Sequence, residues 1–261
     1  MILEIVLGLS LVTWGAGRAM SSRVHDFRAP VIPPPLTTIL MPTFREEKYI
    51  RNSLLSLTNQ NVRLEYPERF EVLLVDSGSD DRTVEYATPF VSRVINASRG
   101  LLNAKDLGVK EARGEVIVGV NADVYYPPNW LNMILSHYQD PAVSAVGGPW
   151  QYGLPMPDAP LFLDWASVWV PFISGTNMPG GNSSFRRDAY YRCGGFDLST
   201  DQTRFETMIL EEEHQFPKRL SQVGKFVWDW QALVYYSARD HTEASVVRSF
   251  DALSYPNQSK R

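Results

Sequence analysis

The sequence has a single cysteine, Cys193, among 261 residues, and this scarcity excludes an internal disulfide framework and any four-cysteine zinc site. It also lacks a positive balance of charge: 25 basic and 29 acidic side chains give a formal charge of −4. Nucleic-acid binders usually carry a basic domain or stripe, so we expect no nucleic-acid partner. Hydrophobic residues make up 44% of the chain and charged residues 21%, which is typical of a globular protein.

The beginning of the chain is apolar, but it lacks the length of a typical membrane span. Residues 2–16 are almost wholly apolar, whereas crossing a bilayer takes about 20 such residues. No basic region precedes them, as a signal peptide would require, and Arg18 and Arg23 follow them. We predict an apolar helix over residues 1–20 that associates with a membrane or packs on the protein's own body, a removed targeting segment being the third alternative. Residues 21–36 contain four prolines and are predicted to be a linker.

From residue 37 onward, apolar runs alternate with segments of helical periodicity. Continuous apolar strands separated by helices indicate an α/β protein with a mostly parallel sheet covered on both faces. The pattern becomes irregular after residue 150, and a last strand-like run covers residues 226–237. The predicted strands are 37–44, 70–78, 93–97, 115–123 and 142–150, and the predicted helices are 45–60, 81–90, 101–113 and 129–139.

Polar clusters follow three of these strands, at residues 43–46, 76–81 and 121–123. Ligands of open α/β sheets bind beyond the carboxyl ends of the strands, so these clusters predict a ligand site. No GxGxxG follows the first strand and no GxxxxGK[ST] occurs, which disfavours a dinucleotide-binding domain and excludes a P-loop NTPase. Asn121 and Asp123 offer oxygen ligands of the kind that suit Mg²⁺ or Mn²⁺, although a short turn after a strand has the same composition.

Five segments, taken in order, carry a family resemblance: MPTFREEKYI, VDSGSDDRT, AKDLGVKEARGEVIVGVNADVYYPPNWL, GGNSSFRRDAYYRCGGFD and EEEHQFPKRLSQVGK. Together they resemble the family 2 nucleotide-sugar glycosyltransferases of the GT-A type, from about Thr37 to His241. The resemblance implies a GT-A-like, Rossmann-type sheet flanked by helices, with residues 37–261 as one domain. Residues 37–150 would form its nucleotide-binding half and residues 151–261 its irregular acceptor and catalytic half.

The activity that the resemblance implies is inverting transfer of a sugar from a nucleotide diphosphate, preferably a UDP-sugar, to an acceptor hydroxyl. The acceptor would be a glycan or a lipid-linked glycan, as in polysaccharide biosynthesis, and Mn²⁺ or Mg²⁺ would assist. We expect a cytoplasmic protein that is peripheral to, or anchored at, a membrane surface through its first residues.

For the donor, the resemblance implies that Thr43 and Glu46 line the base and ribose and that Asp76 pairs with the base. Lys105 stands where the family often has arginine near the nucleotide, although a solvated surface lysine is the competing interpretation. Asn121 and Asp123 fall on the family's DxD motif, with Asn in place of the first Asp, so Asp123 is the better candidate for the metal ligand. Ser79, Asp81 and Thr83 indicate a turn followed by a helix cap.

For the acceptor half, the resemblance implies that Glu213 is the general base, one methylene longer than the family's Asp, with Glu212 as the alternative. A water-exposed acidic helix start is the competing interpretation of the three adjacent glutamates, which should otherwise raise a carboxyl pKa by mutual repulsion. The remaining candidates are Gly180, Gly181 and Asn182 for the donor sugar, Trp165 and Trp169 for a sugar or lipid-linked acceptor or for the core, and His241 as a metal ligand or a structural histidine.

Two other functions remain open at this point. The departures at Asn121 and Glu213 also fit a degenerate protein that binds nucleotide sugars without catalysis. A sugar-phosphate nucleotidyltransferase would need a glycine-rich basic loop after the first strand, and MPTFREEK has no glycine.

Overall fold

A computed structural model describes residues 33–152, 176–202 and 211–237. Trp165, Trp169 and His241, together with the predicted N-terminal helix over residues 1–20, lie outside the described residues. The domain boundaries therefore stay predictions. Within the described ranges, no helix has both the length and the apolar character needed to cross a bilayer.

A seven-stranded sheet forms the centre of the molecule, in the order β3-β2-β1-β4-β8-β6-β9. Only β8 runs antiparallel to its neighbours, which confirms the predicted mostly parallel sheet. A small sheet in the order β5-β10-β7 lies beside it. The strands are β1 (Thr37–Thr43), β2 (Phe70–Asp76), β3 (Arg93–Asn96), β4 (Val116–Gly119), β5 (Val124–Tyr125), β6 (Val143–Gly147), β7 (Trp150–Tyr152), β8 (Ser183–Arg186), β9 (Lys225–Trp228) and β10 (Val234–Tyr236).

Short helices connect the strands. A π-helical turn, Glu211–Gln215, leads directly into the last described helix. The α-helices are α1 (Ile50–Thr58), α2 (Asn61–Glu65), α3 (Thr83–Ala87), α4 (Leu101–Glu111), α5 (Trp130–Ser136), α6 (Arg187–Arg192) and α7 (Phe216–Val223), and the 3₁₀ turns are Pro67–Arg69, Thr88–Phe90, His137–Gln139 and Leu198–Gln202.

Alternation along the strands buries apolar side chains on both faces of the sheet. Ile39 and Met41 of β1 enter a cluster with α1 and α5, whereas Leu40 enters a second cluster with α4, α6 and α7. On the second face, Gly108 lets α4 approach closely, because a Cβ there would collide with Leu40. Both faces are covered, as the continuous apolar runs predicted.

The strand-like run predicted over residues 226–237 is two strands, β9 and β10, which belong to different sheets, and the strand predicted over residues 115–123 ends at Gly119. Two further predicted elements differ from the structure for tertiary reasons. The helix predicted from residue 45 begins at Ile50, because residues 44–49 form a loop in which Arg45 has a φ of 57°. The strand predicted over residues 142–150 splits at Gly147, and Trp150 joins the small sheet instead. In both places the chain turns at the carboxyl edge of the sheet, where the candidate site lies.

Candidate active site

Asp76 is fixed at the end of β2, directly opposite Thr43 at the end of β1. One carboxylate oxygen accepts hydrogen bonds from the hydroxyls of Ser79 (2.6 Å) and Thr43 (3.3 Å). The other accepts from the backbone N–H groups of Gly78 (3.1 Å) and Ser79 (2.9 Å). Asp76 is only 3% exposed, so these bonds fix the direction of its carboxylate.

The loops after β1 and β2 are tied together by side chains. Arg45 donates two hydrogen bonds to Asp80, at 2.7 and 2.6 Å. The backbone N–H of Glu46 donates to the Thr83 hydroxyl at 2.7 Å, at the start of α3. Asp81 accepts from the backbone N–H of Thr83 at 3.0 Å, as the predicted turn before a helix requires. Glu46 is thereby held at the carboxyl edge beside the ends of β1 and β2.

An aromatic side chain that sequence reasoning missed lies in the same loop. The guanidinium groups of Arg45 and Arg99 lie over the Phe44 ring, 5.1 and 4.4 Å from its centroid. Arg99 is exposed and directly precedes Gly100, at the start of α4. Its proximity to Phe44 depends on two distant loops meeting, so no local pattern could have indicated it.

Hydrogen bonds to two tyrosine hydroxyls bring Asn121 and Gly181 together. The Tyr126 hydroxyl accepts from the backbone N–H of Asn121 (2.8 Å) and donates to the carbonyl of Gly181 (3.0 Å). The Tyr236 hydroxyl accepts from the backbone N–H of Gly181 at 3.0 Å. A Cβ on Gly181 would lie 2.5 Å from that hydroxyl and 3.0 Å from the Asn121 side chain. Only glycine therefore lets this backbone approach Asn121.

Asp123 follows in the same turn, and its backbone carbonyl accepts from the N–H of Ser237 at 2.8 Å. Among the described residues, no three His, Cys, Asp or Glu side chains form a metal-binding group. A hard cation that is shared with phosphate oxygens needs only one or two protein carboxylates, however. The Asp123 carboxylate and the Asn121 amide fit that kind of metal rather than one held entirely by the protein.

A buried ion pair lies beside Gly180, the residue before Gly181. Lys105 of α4 pairs with Glu212 of the π-helical turn, and each side chain is only 5% exposed. The Lys105 ammonium also donates to the carbonyl of Gly180 at 3.3 Å. A Cβ on Gly180 would collide with the Glu212 carboxylate. Lys105 is therefore not a solvated surface residue, and the cavity beside the pair is lined mainly by apolar residues such as Leu40.

Glu213 lies next to this pair, and its backbone carbonyl accepts from the N–H of Met178 at 3.0 Å. Burial and the neighbouring Glu212 raise the pKa of Glu213 to about 8, against the opposing effects of the Gly180 backbone and Lys105. No cation forms a salt bridge with Glu213 within the described part of the chain. The repulsion predicted among the adjacent glutamates thus contributes, after burial, to the raised pKa of Glu213.

Glu211 has a different partner, which sequence reasoning also missed. Its carboxylate pairs with Arg219 of α7 and accepts from the backbone N–H of Asp197 at 2.9 Å. Arg219 also donates to the carbonyl of Gly195 at 2.8 Å. Glu211 and Glu212 are both 4% exposed, so the alternative of a water-exposed acidic helix start is wrong.

Asn182 is held entirely by bonds within the protein. Its amide donates to the carbonyls of Pro149 (2.8 Å) and Ala232 (2.7 Å) and accepts from the Trp130 indole (2.9 Å). The residue is completely buried. Asn182 therefore anchors the Gly180–Gly181 backbone between Asn121 and Glu212.

Solved structures with the same fold come from glycosyltransferases. A mannosyltransferase from Pyrobaculum calidifontis in complex with GDP-Man and Mn²⁺ is similar with a TM-score of 0.64 at 18% identity, over 100% of this chain and 78% of that one. GalNAc-T7 with UDP, GalNAc and Mn²⁺ is similar with a TM-score of 0.60 at 16% identity, over 84% of this chain and 48% of that one. The expected GT-A-like fold is confirmed.

Sequence relatives agree with this fold. Glycosyltransferase AglE of Haloferax volcanii is 27% identical over 206 residues, which cover 76% of this chain and 61% of AglE. A dolichyl N-acetyl-alpha-D-glucosaminyl phosphate 3-beta-D-2,3-diacetamido-2,3-dideoxy-beta-D-glucuronosyltransferase of Methanococcus voltae is 30% identical over 125 residues, 42% of this chain and 38% of that enzyme. The chain thus spans about three fifths or less of these relatives.

The family assignment rests on the part of the chain that carries β1 to β4, the Asn121–Asp123 turn and the Gly180–Gly181 backbone. The sequence model described as "Glycosyl transferase family 2" matches residues 38–194, which is more than half of the chain. This protein belongs to glycosyl transferase family 2.

Proposed function

We propose that this protein is an inverting glycosyltransferase that moves a sugar from a nucleotide diphosphate donor to an acceptor hydroxyl. The observation that carries the proposal is Glu213, a carboxyl with a raised pKa and no described cation partner, beside the Lys105–Glu212 pair. The polar side chains at the strand ends, Thr43, Asp76 and Asn121, would supply the donor-binding part of the site, because an α/β sheet binds its ligand at this edge.

Glu213 is the general base of the proposed reaction. A base whose pKa lies near neutrality combines an available unprotonated form with a strong drive to accept a proton. Glu212 is engaged by Lys105, which favours Glu213 over the alternative base. Glu213 takes the proton of the acceptor hydroxyl while that oxygen bonds to the anomeric carbon. The bond from this carbon to the diphosphate oxygen breaks on the opposite face, so the configuration inverts.

The donor side rests on residues at the carboxyl edge. Asp76 and Thr43 would contact the nucleotide base, and Glu46 would contact the ribose. Asn121 and Asp123 would lie beside the diphosphate. Asp123 would hold Mn²⁺ or Mg²⁺, and such a metal, when bound, neutralises charge on the departing diphosphate. Since Lys105 is already paired with Glu212, its part in binding the nucleotide is indirect, through the position of that carboxylate.

A thermal-shift screen of UDP, GDP, dTDP, CMP and ADP, each with and without Mn²⁺, tests the donor site. A ligand at 100 times its Kd adds about 2.7 kcal/mol to the free energy of unfolding, and hence a shift of about 2–4 °C per kcal/mol at this size. We expect a Mn²⁺-dependent shift with UDP. GalNAc-T7 was solved with UDP and the P. calidifontis enzyme with GDP-Man, so a shift with GDP alone would move the proposal to that donor.

The activity test is Glu213→Gln, read as nucleotide released from the donor selected by the screen. We expect turnover to fall about 10²–10⁴-fold while nucleotide binding is retained. Glu68→Gln is the matched control, because Glu68 is an exposed carboxylate outside the site. A parent protein that binds the nucleotide but never releases it from a donor would favour the degenerate binding protein instead.

The acceptor and the cellular place belong to the same proposal. The M. voltae relative is named for a dolichyl-linked substrate, which supports a glycan or lipid-linked acceptor reached from the cytoplasm at a membrane surface. Liposome flotation of the full chain against a version that starts at Ser21 tests this. Loss of flotation in the shorter version is expected, and equal flotation would contradict an anchoring role for residues 1–20.

A further inference from the structure

The 3₁₀ turn Leu198–Gln202 is fastened to the start of α4 by one carboxylate. Asp201 accepts hydrogen bonds from the backbone N–H groups of Leu102 at 3.0 Å and of Asn103 at 2.8 Å. These N–H groups belong to the first turn of the helix, where no carbonyl of the same helix accepts from them. Gly100, at the N-cap position, has no side chain to bond them. A residue from a distant part of the chain therefore caps α4.

The close approach of Asp201 to the helix requires a glycine. Gly100 has a φ of +130°, and a Cβ there would collide with the Asp201 carboxylate. Any other residue at this position would push the 3₁₀ turn away from α4. Both segments are thus shaped for this contact.

A second contact holds α4 on the other side of Lys105. The Tyr190 hydroxyl donates to the Asp106 carboxylate at 2.7 Å and accepts from the backbone N–H of Phe196 at 3.3 Å. Asp106 directly follows Lys105, and Asp201 holds the helix two and three positions before it. The part of α4 that carries the buried cation is therefore held from both sides.

The segment that contains Asp201 also contacts the turn that carries the proposed base. The backbone N–H of Asp197 donates to the Glu211 carboxylate at 2.9 Å. Glu211 lies two positions before Glu213 in the π-helical turn. Asp197 itself accepts from the N–H and the hydroxyl of Ser199, at 3.1 and 2.6 Å. A short, internally bonded segment thus joins the start of α4 to the turn of the proposed base.

We propose that Asp201 is a positioning residue of the active centre, which fixes Lys105 against Glu212 and Glu213 by holding the first turn of α4. This inference rests on the proposed function. Lys105 follows Leu102 by three positions, so the two residues are neighbours on one side of the helix. Loss of the bonds to Asp201 should therefore loosen the contact between the Lys105 ammonium and the Glu212 carboxylate.

The expected consequence appears in the ionisation of Glu213. Burial and then Glu212 raise the pKa of Glu213, and Lys105 opposes them. Glu211 is already neutralised by Arg219, and burial lowers the pKa of His214, which stays neutral above pH 7. A weaker contact with Lys105 should therefore raise the pKa of Glu213 further. The described charged or titratable groups around it are Glu211, Glu212 and His214 of the same turn, Lys105 of α4 and Arg219 of α7.

Carbon-13 NMR on the full chain, labelled at the glutamate carboxyl carbons, measures this ionisation without a donor. The Glu213 signal is assigned by its absence in Glu213→Gln. We expect a titration midpoint of about 8 in the parent, and one about one pH unit higher in Asp201→Ala. The same shift should lower kcat/KM for the donor about tenfold at pH 7 but only about twofold at pH 9, with nucleotide binding unchanged. A merely structural loss would not depend on pH in this way.

Two further variants alter the contact without deleting the side chain. Asparagine is as good an N-cap as aspartate and keeps one acceptor oxygen, so Asp201→Asn should fold and shift the midpoint less than Asp201→Ala. Gly100→Ala keeps the carboxylate but displaces it, and should reproduce the upward shift. If Asp201→Ala does not fold, Gly100→Ala decides the question in its place.

Each change has a matched control. Gly194→Ala controls for backbone strain, because Gly194 has a φ of +88° and open space around it. Asp140→Ala controls for the loss of a carboxylate that caps a backbone group, because Asp140 accepts from the N–H of Ala142 at 2.9 Å before β6. Both controls should leave the Glu213 midpoint where it is in the parent.

The outcomes separate this inference from the function on which it rests. An unchanged midpoint in both Asp201→Ala and Gly100→Ala, or an equal shift in the controls, would overturn the inference and leave Asp201 as a helix cap. That result with nucleotide binding and donor turnover intact would leave the glycosyltransferase proposal standing. Absence of nucleotide binding by the parent in the thermal-shift screen would instead refute the proposed function, whatever the NMR midpoints are.

Discussion

The loops after β1 and β2 and the buried centre at Gly180 differ in how their charges are balanced. In the loops, Arg45 pairs with Asp80 and Arg82 pairs with Glu85, and all four side chains are more than half exposed. At the centre, one cation, Lys105, faces the two carboxylates of Glu212 and Glu213, and the ion pair is buried. Each of the two pairs in the first region matches one carboxylate with one cation, whereas two carboxylates share one cation in the second.

The pKa values of the carboxyl groups reflect this difference. Arg45 lowers the pKa of Asp80, and Arg82 lowers that of Glu85, so both carboxylates stay ionised. Burial and Glu212 act in the opposite direction on Glu213. Exposed, matched charges shape the loops that border the proposed donor site, whereas the Glu213 carboxyl, beside the buried carboxylate of Glu212, has a raised pKa and is prepared to take up a proton.

Replacement of Lys105, the cation of the buried pair, should cause the largest loss in the free energy of unfolding. Lys105→Met leaves the Glu212 carboxylate buried without a partner, so we expect the free energy of unfolding to fall by about 3–5 kcal/mol. Urea denaturation without ligands measures this. Adding Glu212→Gln to Lys105→Met should restore most of the loss, because no unpaired charge then remains. A double variant as unstable as the single one would show that the pair does not explain the effect.

A smaller loss should follow from adding one carbon at Gly180. The Cβ of Gly180→Ala would collide with the Glu212 carboxylate, which Lys105 holds in place. We expect a cost of about 1–3 kcal/mol in unfolding free energy, as for other overpacked sites, and a loss of donor turnover as the glutamates shift.

Gly194→Ala is the matched control for this change. Gly194 has a φ of +88° and open space around it, so alanine strains the backbone without displacing any neighbour. It should lower stability while leaving turnover unchanged. Equal losses of turnover in both variants would mean that stability, not the position of Glu212, limits activity.

The sequence predicted the frame of this site well, for reasons that lie in local chemistry. Apolar runs located β1 and β2 closely, because strands buried on both faces need continuous apolar residues. Counting back from Arg219 and Leu220 selected Glu212 and Glu213 from the three adjacent glutamates. The structure has both of them beside Gly180. The site roles of these residues stay predictions.

The partners of these residues could not be predicted, because they are set by tertiary contacts. Lys105 lies 107 positions before Glu212, and no spacing rule joins them. The helical periodicity from residue 45 onward was overridden by bonds from Arg45 to Asp80 in another loop. The unsatisfied amide of Asn177 could not be predicted for the same reason, since the lack of a hydrogen-bond partner among the described residues is visible only once its surroundings are packed.

The pH dependence of turnover sharpens the comparison at Glu213. With a pKa of about 8, the base is mostly protonated at pH 7. We expect kcat/KM for the donor to rise about tenfold between pH 7 and pH 9, because this ratio reports the ionisation of the free enzyme. A profile that is already flat above pH 6 would place the pKa of the base near its ordinary value.

Stability should move in the opposite direction over the same range. The pKa of Glu213 lies above its ordinary value of 4.5, so the folded protein holds a proton that the unfolded chain releases between about pH 4.5 and pH 8. The free energy of unfolding should therefore fall as pH rises through this window. Glu213→Gln should remove this part of the slope in urea titrations at pH 5 and pH 8, and Glu68→Gln should leave it in place.

The exposed pair of the loops should give the smallest effect. Solvent screens the Arg45–Asp80 pair, so Asp80→Asn should lower the free energy of unfolding by only about 0.2–1 kcal/mol, and less at high salt. The pair also joins the loop after β1 to the loop after β2, next to Thr43 and Asp76, which would contact the nucleotide base in the proposed function. We therefore expect Asp80→Asn to weaken nucleotide binding in the thermal-shift assay more than it weakens folding. A loss of stability as large as that of Lys105→Met would erase the distinction between the two regions.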